Sequence, residues 1–182
     1  MGVNATAIVG SGKERQSFDF YPTPREVTIS LLDFLHIPEN ETIWEPACGQ
    51  GHMVEVMRER GYDVVATDIQ SGTDFLTADL PQGVKWIITN PPFKVSERFI
   101  KRCLHHKKPF ALLLKSQYWH AARRQQLFAT YPPKFVLPLT WRPDFTGQGS
   151  SLMDVCWCVW DDNYGLTFSL YKPLAKPKSD KP

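Results

Sequence analysis

The tetrapeptide Asn90-Pro91-Pro92-Phe93 combines groups that could act on the amine of a flat aromatic ring. It follows an apolar run, Val84 to Thr89, that predicts a buried strand, so we expect it at the carboxyl end of that strand. The side-chain oxygen of Asn90 and the main-chain oxygen of Pro91 could accept both amine hydrogens, because proline has no N–H to compete for them. These contacts would hold the amine nitrogen pyramidal and free its lone pair, while Phe93 stacked on the ring. The alternative interpretation is a proline-terminated strand followed by a core aromatic residue.

A second motif, Glu45-Pro46-Ala47-Cys48-Gly49-Gln50-Gly51, lies where the first predicted strand meets its following helix. Open α/β sheets bind ligands at this position, and the two glycines allow a tight turn that approaches a ligand closely. Asp68 follows 19 residues after Gly49, at the end of the second predicted strand. This is the spacing at which an acid reaches ribose hydroxyls. The two features together predict a nucleoside-containing cofactor.

Glu45 distinguishes between two kinds of nucleoside cofactor. The pyrophosphate of a dinucleotide needs bare N–H groups without a neighbouring negative charge, whereas S-adenosylmethionine carries a positive ammonium and a positive sulfonium. A carboxylate at the strand end would repel the first cofactor and attract the second. Glu45 therefore favours S-adenosylmethionine, and the alternative is a carboxylate that only caps the following turn.

These two motifs, together with Tyr21-Pro22-Thr23-Pro24, resemble the class I S-adenosylmethionine-dependent methyltransferases. More narrowly, they are similar to the adenine-specific (N6) DNA methyltransferases, including compact members encoded by phages and prophages. The resemblance covers roughly residues 18 to 160. It implies a Rossmann-like α/β fold with a mostly parallel seven-stranded sheet, helices on both faces and an antiparallel last strand, Val155 to Trp160. It also implies an enzyme that transfers a methyl group from S-adenosylmethionine to the N6 amine of adenine in DNA.

The resemblance assigns a role to residues of each motif. Thr23 is expected to contact the cofactor carboxylate, whereas Glu45 and the main chain from Ala47 to Gly51 contact its methionine part. Asp68 is expected to bind the ribose. The complete expected cofactor site consists of Tyr21, Thr23, Pro24, Glu45, Pro46, Ala47, Cys48, Gly49, Gly51, Asp68, Ile69, Asp74, Phe75 and Asn90. The expected catalytic residues are Asn90, Pro91, Pro92 and Phe93.

Two of these cofactor residues belong to the segment Asp74-Phe75-Leu76. By the resemblance, Asp74 binds the adenine amine of the cofactor and Phe75 packs on the adenine ring. The residue types suit these roles, and the segment lies near the expected third strand.

Alternating strands and helices would position the motifs within one domain. After Pro24, apolar residues at helical spacing predict a helix that ends near His36. Further along the chain, short apolar runs alternate with helical patterns, which indicates a parallel sheet. The predicted strands are Thr42 to Trp44, Asp63 to Thr67, Val84 to Thr89, Phe110 to Leu114, Phe135 to Leu137, Val155 to Trp160 and, more weakly, Leu166 to Tyr171; the further predicted helices are His52 to Arg60, Ser96 to His106 and Trp119 to Ala129.

The length suits one globular domain, for which we expect a flexible segment at 1–17, a catalytic domain at 18–172 and a disordered tail at 173–182. We expect no separate target-recognition region after Trp160, so any recognition of nucleotide sequence is expected to fall to loops. The candidate is Thr140 to Met153, an aromatic loop that could hold an extruded base or serve only as a lid. A minimal enzyme of this kind is expected to prefer single-stranded or loosely specified DNA.

Charge is distributed unevenly along the chain. Residues 1–90 contain 6 Lys and Arg against 13 Asp and Glu, whereas residues 91–182 contain 15 against 6. Between Lys94 and Lys134, ten basic residues accompany a single acid, Glu97. This composition leaves two interpretations open, a solvated helix face and a phosphate-contacting surface.

Several other functions remain open or are disfavoured. No cysteine pair has the spacing of a zinc site, so the 4 cysteines are interpreted as reduced thiols and no metal is expected. No apolar run is long enough to cross a bilayer and no secretory signal is evident, so we expect a cytoplasmic protein with no membrane partner. The oligomeric state is left open. The alternatives in function are methylation of an adenine or guanine amine in RNA, methylation of a protein glutamine, and non-catalytic binding of nucleic acid.

Overall fold

The structure, a computed structural model, describes residues 22–147, 149, 153–161 and 168–178. The expected flexible segment at 1–17 and the expected cofactor residue Tyr21 lie outside the described residues. Seven strands form one sheet at the centre of the described chain. They are β1 (Thr42–Glu45), β2 (Asp63–Ala66), β3 (Val84–Thr89), β4 (Phe110–Lys115), β5 (Phe135–Pro138), β6 (Val155–Trp160) and β7 (Leu170–Tyr171).

The sheet has the strand order β2-β1-β3-β4-β6-β5-β7. Strands β2, β1, β3 and β4 run parallel to one another, β6 runs antiparallel to both of its neighbours, and β7 pairs in parallel with β5. The predicted fold class, a mostly parallel seven-stranded sheet with an antiparallel strand, is therefore confirmed. The antiparallel strand is Val155–Trp160 as expected, although the two-residue strand Leu170–Tyr171 follows it and forms an edge of the sheet.

The helices cover both faces of the sheet, as predicted. They are α1 (Arg25–Leu35), α2 (His52–Glu59), α3 (Ser96–His106) and α4 (Gln125–Thr130). Side chains of β4 alternate between two cores: Ala111 and Leu113 pack with α1 and α2, whereas Leu112 and Leu114 pack with α3. Because successive strand residues point to opposite faces, a strand buried on both faces has the continuous apolar sequence from which β4 was predicted.

Helix α4 begins six residues later than the predicted start at Trp119. Two 3₁₀ turns, Ser116–Trp119 and Ala122–Arg124, precede it. The guanidinium of Arg124 donates from Nε to the main-chain oxygen of Tyr118 at 2.7 Å and lies 3.9 Å from the centre of the Tyr118 ring. This contact joins the two turns and accounts for the interruption of the helical pattern.

The contacts of the domain extend beyond the predicted boundary at residue 172. Leu174 is only 6% exposed and belongs to the core that α1 and α2 cover. Its main-chain N–H donates to Pro138 at 2.8 Å, and its main-chain oxygen accepts from Thr140 at 3.0 Å. At least this part of the segment expected to be a disordered tail therefore pairs with the end of β5.

The loop from Thr140 to Met153, whose residues 148 and 150–152 lie outside the described chain, is anchored at several points. Phe145 is 3% exposed and packs in the core with α1 and α2, so its ring is not available to an extruded base. Asp144 accepts hydrogen bonds from the main-chain N–H groups of Thr146 at 3.0 Å and Gly149 at 2.6 Å. Phe145 and Asp144 therefore anchor this part of the loop.

Candidate active site

Three parallel strands bring the predicted motifs to one edge of the sheet. Strand β1 ends at Glu45, β2 ends two residues before Asp68, and β3 ends directly before Asn90. Because β2, β1 and β3 are parallel neighbours, their carboxyl ends lie side by side. The residues assigned to the cofactor and to the target amine therefore share one edge, which we call the catalytic edge.

Glu45 is fully buried at the catalytic edge, with 1% exposure. Its Oε1 accepts hydrogen bonds from the hydroxyl of Thr89 and from the main-chain N–H of Ala47, the latter at 3.3 Å. Its Oε2 is also buried and has no hydrogen-bond partner within the described chain. Burial raises the pKa of Glu45 to about 8; the two hydrogen bonds oppose this shift, and the nearby Asp68 adds to it. A buried carboxylate oxygen without a partner is costly, so this position suits a cationic group supplied by a ligand.

Thr89 is a site residue that was not predicted from the sequence. It is completely buried, and its hydroxyl joins the end of β3 to Glu45 at the end of β1. The only signal in the sequence is one polar residue at the end of an otherwise mostly apolar strand, directly before Asn90. That signal indicates neither the partner of the hydroxyl nor its burial.

The loop between β1 and α2 is attached to Asp68. The main-chain N–H of Gly49 donates to Asp68 Oδ2 at 3.0 Å, and that of Gln70 donates to Oδ1 at 2.8 Å. Gly49 and Gly51 have φ angles of 50° and 86°, a left-handed conformation that side chains with a Cβ rarely adopt. Asp68 therefore shapes the loop, and this role is separate from the ribose contact predicted for it.

We expect the substitution Asp68→Ala to weaken binding of S-adenosylmethionine and to lower the free energy of unfolding by about 1–2 kcal/mol, because two N–H groups lose their acceptor. Asp68→Asn, which keeps one acceptor oxygen, should lose less stability. Calorimetric titration and urea unfolding measure the two effects. An unfolding free energy that is unchanged in Asp68→Ala would contradict the role of Asp68 in holding the loop.

Thr23 orients the side-chain amide of Asn90. Asn90 Nδ2 donates to the Thr23 hydroxyl at 3.1 Å, and Thr23, which lies just before α1, is 6% exposed. Asn90 Oδ1 is buried and has no hydrogen-bond partner among the residues described. The amide thus offers an unsatisfied acceptor, which is the atom predicted from the sequence to contact the target amine. Thr23, which the resemblance assigns to the cofactor carboxylate, contacts Asn90 in this structure.

The remainder of the tetrapeptide, Pro91 to Phe93, leads into a hydrogen-bonded turn. Pro91 is buried and Pro92 is exposed, and a 3₁₀ turn, Phe93–Val95, follows. Val95 donates from its main chain to the Pro92 oxygen at 3.0 Å. Phe93 is half-buried, and Lys115 Nζ lies 4.1 Å from the centre of its ring, which is a cation–π contact. Phe93 is therefore not the fully buried core aromatic of the alternative interpretation.

The prediction that Phe75 packs on the adenine ring of a cofactor is not supported by its position. Phe75 is 2% exposed, and its ring lies 5.0 Å from that of Trp44 and 4.7 Å from that of Phe99. A ring enclosed in this way has no face left for a ligand, because the core beneath α3 surrounds it. The neighbouring Asp74 accepts a hydrogen bond from the N–H of Leu76 at 2.9 Å, which closes a turn.

The remaining expected cofactor residues frame the same edge. Ile69, directly after Asp68, is a large apolar side chain that is 68% exposed at this edge. Pro46 is buried, Ala47 and Cys48 are half-buried, and Pro24 is the N-cap residue directly before α1. Burial raises the pKa of the Cys48 thiol, and the carboxylates of Glu45 and Asp68 contribute to the shift, so the thiol stays protonated at neutral pH.

The structure shows neither a metal-binding cluster nor a membrane-spanning helix among the residues it describes. Among the residues it describes, no three His, Cys, Asp or Glu side chains are grouped so that they could hold a metal ion. A membrane-spanning helix needs about 20 apolar residues, and none of the helices in the described ranges has the required length and composition.

The fold is similar to that of solved methyltransferases. A putative class I S-adenosylmethionine-dependent methyltransferase from Listeria monocytogenes superposes with a TM-score of 0.61 and 13% identity, covering 93% of this chain and 70% of that one. The methyltransferase subunit of a type I restriction-modification system from Streptococcus thermophilus gives a TM-score of 0.59 and 13% identity, covering 81% and 46%. A 23S rRNA methyltransferase gives 0.52 and 12%, covering 78% and 69%.

These similarities show the Rossmann-like methyltransferase fold. The matched region spans less than half the length of the restriction-modification subunit, at 46%. No family model and no curated protein sequence matches this chain.

Proposed function

We propose that the protein transfers a methyl group from S-adenosylmethionine to the exocyclic N6 amine of adenine in DNA. The observation that carries the proposal is the state of the Asn90 amide, whose Nδ2 is held by Thr23 while its Oδ1 is buried without a donor. A buried acceptor that lacks a donor costs about 1–3 kcal/mol. An amine hydrogen of the target base would remove this cost, so the amide is poised for such a ligand.

The catalytic edge also suits the proposed cofactor. The unpaired Oε2 of Glu45 would receive its ammonium group, and the loop containing Gly49 and Gly51 would lie along its methionine part. Asp68 would accept from its ribose, and the exposed Ile69 would cover one face of its adenine. When bound, S-adenosylmethionine supplies a methyl group made electrophilic by the positive sulfonium.

The residues of the tetrapeptide would prepare the target amine. Asn90 Oδ1 and the main-chain oxygen of Pro91 would each accept one amine hydrogen, and the Pro91 oxygen accepts no main-chain hydrogen bond within the described chain. These two oxygens would also stabilise the positive charge that develops on the nitrogen. Phe93 would stack on the base. Much of the catalysis would then come from positioning the amine next to the methyl group.

The proposal is tested by mass spectrometry after incubation of DNA, RNA and protein with isotopically labelled cofactor. We expect labelled N6-methyladenine in DNA. Label found only in RNA bases or only on glutamine side chains would replace the proposed substrate. Cofactor binding without label in any of the three would instead favour a non-catalytic protein.

A separate prediction concerns Thr23. We expect Thr23→Val to lower kcat roughly ten- to hundredfold, because the Asn90 amide loses the hydroxyl that orients it, with little change in the Kd of the cofactor. Thr23→Ser keeps a hydroxyl and is the matched control, which should retain most of the activity. Rate assays and calorimetric titration provide the two readouts. A raised Kd with an unchanged kcat would instead assign Thr23 to the cofactor.

A further inference from the structure

The basic residues between Lys94 and Lys134 do not form a single patch. Lys115 and Arg123 line a pocket of about 240 Å³ beside Phe93 at the catalytic edge. Lys107 and Lys108 line a groove of about 1200 Å³, which also includes the first residue of β4 and the last residue of β6. Because β6 is antiparallel to β4, both ends lie at the edge of the sheet opposite the catalytic edge. We call this larger cavity the distal groove.

The distal groove is positively charged. Its basic residues are Lys85, Lys101, His105, Lys107, Lys108 and Lys134. Its acids are Glu41 and Asp161. Lysines therefore outnumber acids, and this excess attracts polyanions such as the phosphate backbone of a nucleic acid.

Helix α3 connects the two edges. It begins at Ser96, directly after the turn that holds Phe93, and ends at His106, beside the distal groove. Arg98, Lys101 and His105 are exposed, and their spacing of three and four residues places them on one face of the helix. Lys94, in the turn before the helix, and Lys108, two residues after its end, flank this row. We call these five residues the α3 stripe, which extends over a helix about 16 Å long.

Aromatic side chains accompany the charges in the distal groove. Tyr131 is 50% exposed, and Trp86 is half-buried. Aromatic side chains next to cations bind single strands, because unpaired bases stack on the rings while phosphates contact the cations. In a duplex the faces of the bases are stacked on one another, so these rings would have no partner.

We propose that the distal groove binds single-stranded nucleic acid, which continues along the α3 stripe to Asn90. At the duplex spacing of 3.4 Å per nucleotide the path along the helix corresponds to about five nucleotides, and an unstacked strand, which is longer per nucleotide, would cover it with fewer. Only the statement that the strand presents its base at Asn90 rests on the proposed function. Glu97, the acid beside the α3 stripe, forms an ion pair with Lys101 at 2.9 Å. It forms no ion pair with Arg98 or His105.

The test is fluorescence anisotropy of a labelled oligonucleotide of about 20 nucleotides, without cofactor, over a range of salt concentrations. The groove variant Lys85→Gln/Lys108→Gln should bind a single strand roughly twentyfold more weakly at 0.1 M salt. The slope of log K against log salt should fall by about 1.4, since each lost phosphate contact contributes about 0.7. The control variant Lys172→Gln/Lys178→Gln removes two exposed charges elsewhere and should bind like the wild type.

Each arm of this experiment has a defined outcome. Unchanged affinity in the groove variant, or an equal loss in the control variant, would overturn the proposal. Equal binding of a duplex with an equal loss in the groove variant would also overturn it. Single strands of DNA and of RNA are compared to identify which of the two nucleic acids the distal groove binds. Anisotropy requires no methyl transfer, so the binding result would stand even if the proposed function were wrong. Conversely, methyl transfer to a trinucleotide would still be observed if the distal groove did not bind nucleic acid.

Discussion

The substitution Asn90→Ala is expected to reduce kcat of methyl transfer by about 10²–10³-fold, while the Kd of S-adenosylmethionine stays close to that of the wild type. The reason is that the variant lacks the oxygen that would accept an amine hydrogen and stabilise the charge developing on the nitrogen. Glu45, Gly49 and Asp68, three of the residues assigned to the cofactor, make no hydrogen bond to the Asn90 side chain, which is held instead by Thr23. Single-turnover rates and calorimetric titration measure the two quantities.

Two comparisons sharpen this experiment. Asn90→Asp keeps acceptor oxygens at the same position and should retain more activity than Asn90→Ala. Asp68→Ala should show the opposite pattern, with weakened cofactor binding. If Asn90→Ala and Asp68→Ala lost cofactor affinity equally, the role assigned to Asn90 would be wrong.

Asn90→Ala should leave the unfolding free energy unchanged or raise it by up to about 2 kcal/mol. The wild-type Oδ1 is a buried acceptor without a donor, so its removal relieves a cost of about 1–3 kcal/mol. The loss of the hydrogen bond to Thr23 opposes this gain by about 1 kcal/mol. Urea unfolding checks the expectation, and strong destabilisation would indicate that Asn90 is mainly structural.

The second large effect concerns the pH dependence of cofactor binding through Glu45. Because burial raises its pKa to about 8, much of the free protein carries a neutral Glu45 at pH 7. The ammonium of the cofactor needs the carboxylate form, so affinity should fall by up to tenfold per pH unit below pH 8. Glu45→Gln should remove this dependence and bind weakly at all pH values. Calorimetric titration between pH 6 and pH 9 measures both effects.

The stability of the free protein should show the opposite trend with pH. The ordinary pKa of a glutamate is 4.5 and that of buried Glu45 is about 8, so between these values the folded protein binds a proton that the unfolded chain does not. The unfolding free energy should therefore fall as pH rises from 4.5 to 8, by at most about 1.4 kcal/mol per pH unit. Glu45→Gln should lack this fall. Glu55→Gln, which changes an exposed glutamate in α2, is the matched control.

Equal pH profiles for the wild type and Glu45→Gln would contradict both expectations. The comparison of the two proteins is needed because the ammonium of the cofactor also titrates. Only the difference between their profiles reports Glu45.

The elements of the catalytic edge were predicted from the sequence because their signals are local. Strand β3 and helix α3 have the predicted bounds, since an apolar run or a helical period depends on neighbouring residues alone. The placement of Asn90 and Glu45 at neighbouring strand ends follows from the parallel sheet, whose fold class is confirmed. The start of α4 was missed, because the contact between Arg124 and Tyr118 that interrupts the pattern has no local signal.

The sequence by itself determined the order of the strands and helices along the chain and the residue types at the ends of β1, β2 and β3. Only the tertiary structure decided that Thr89 donates to Glu45, that Thr23 holds Asn90, and that Phe75 lies in the core. It also divided the basic half of the chain between the catalytic edge and the distal groove. The physical reason is that burial, unpaired polar atoms and shifted pKa values depend on residues far apart in the chain. Thr23 and Asn90, for example, are 67 positions apart, and no local pattern reports their contact.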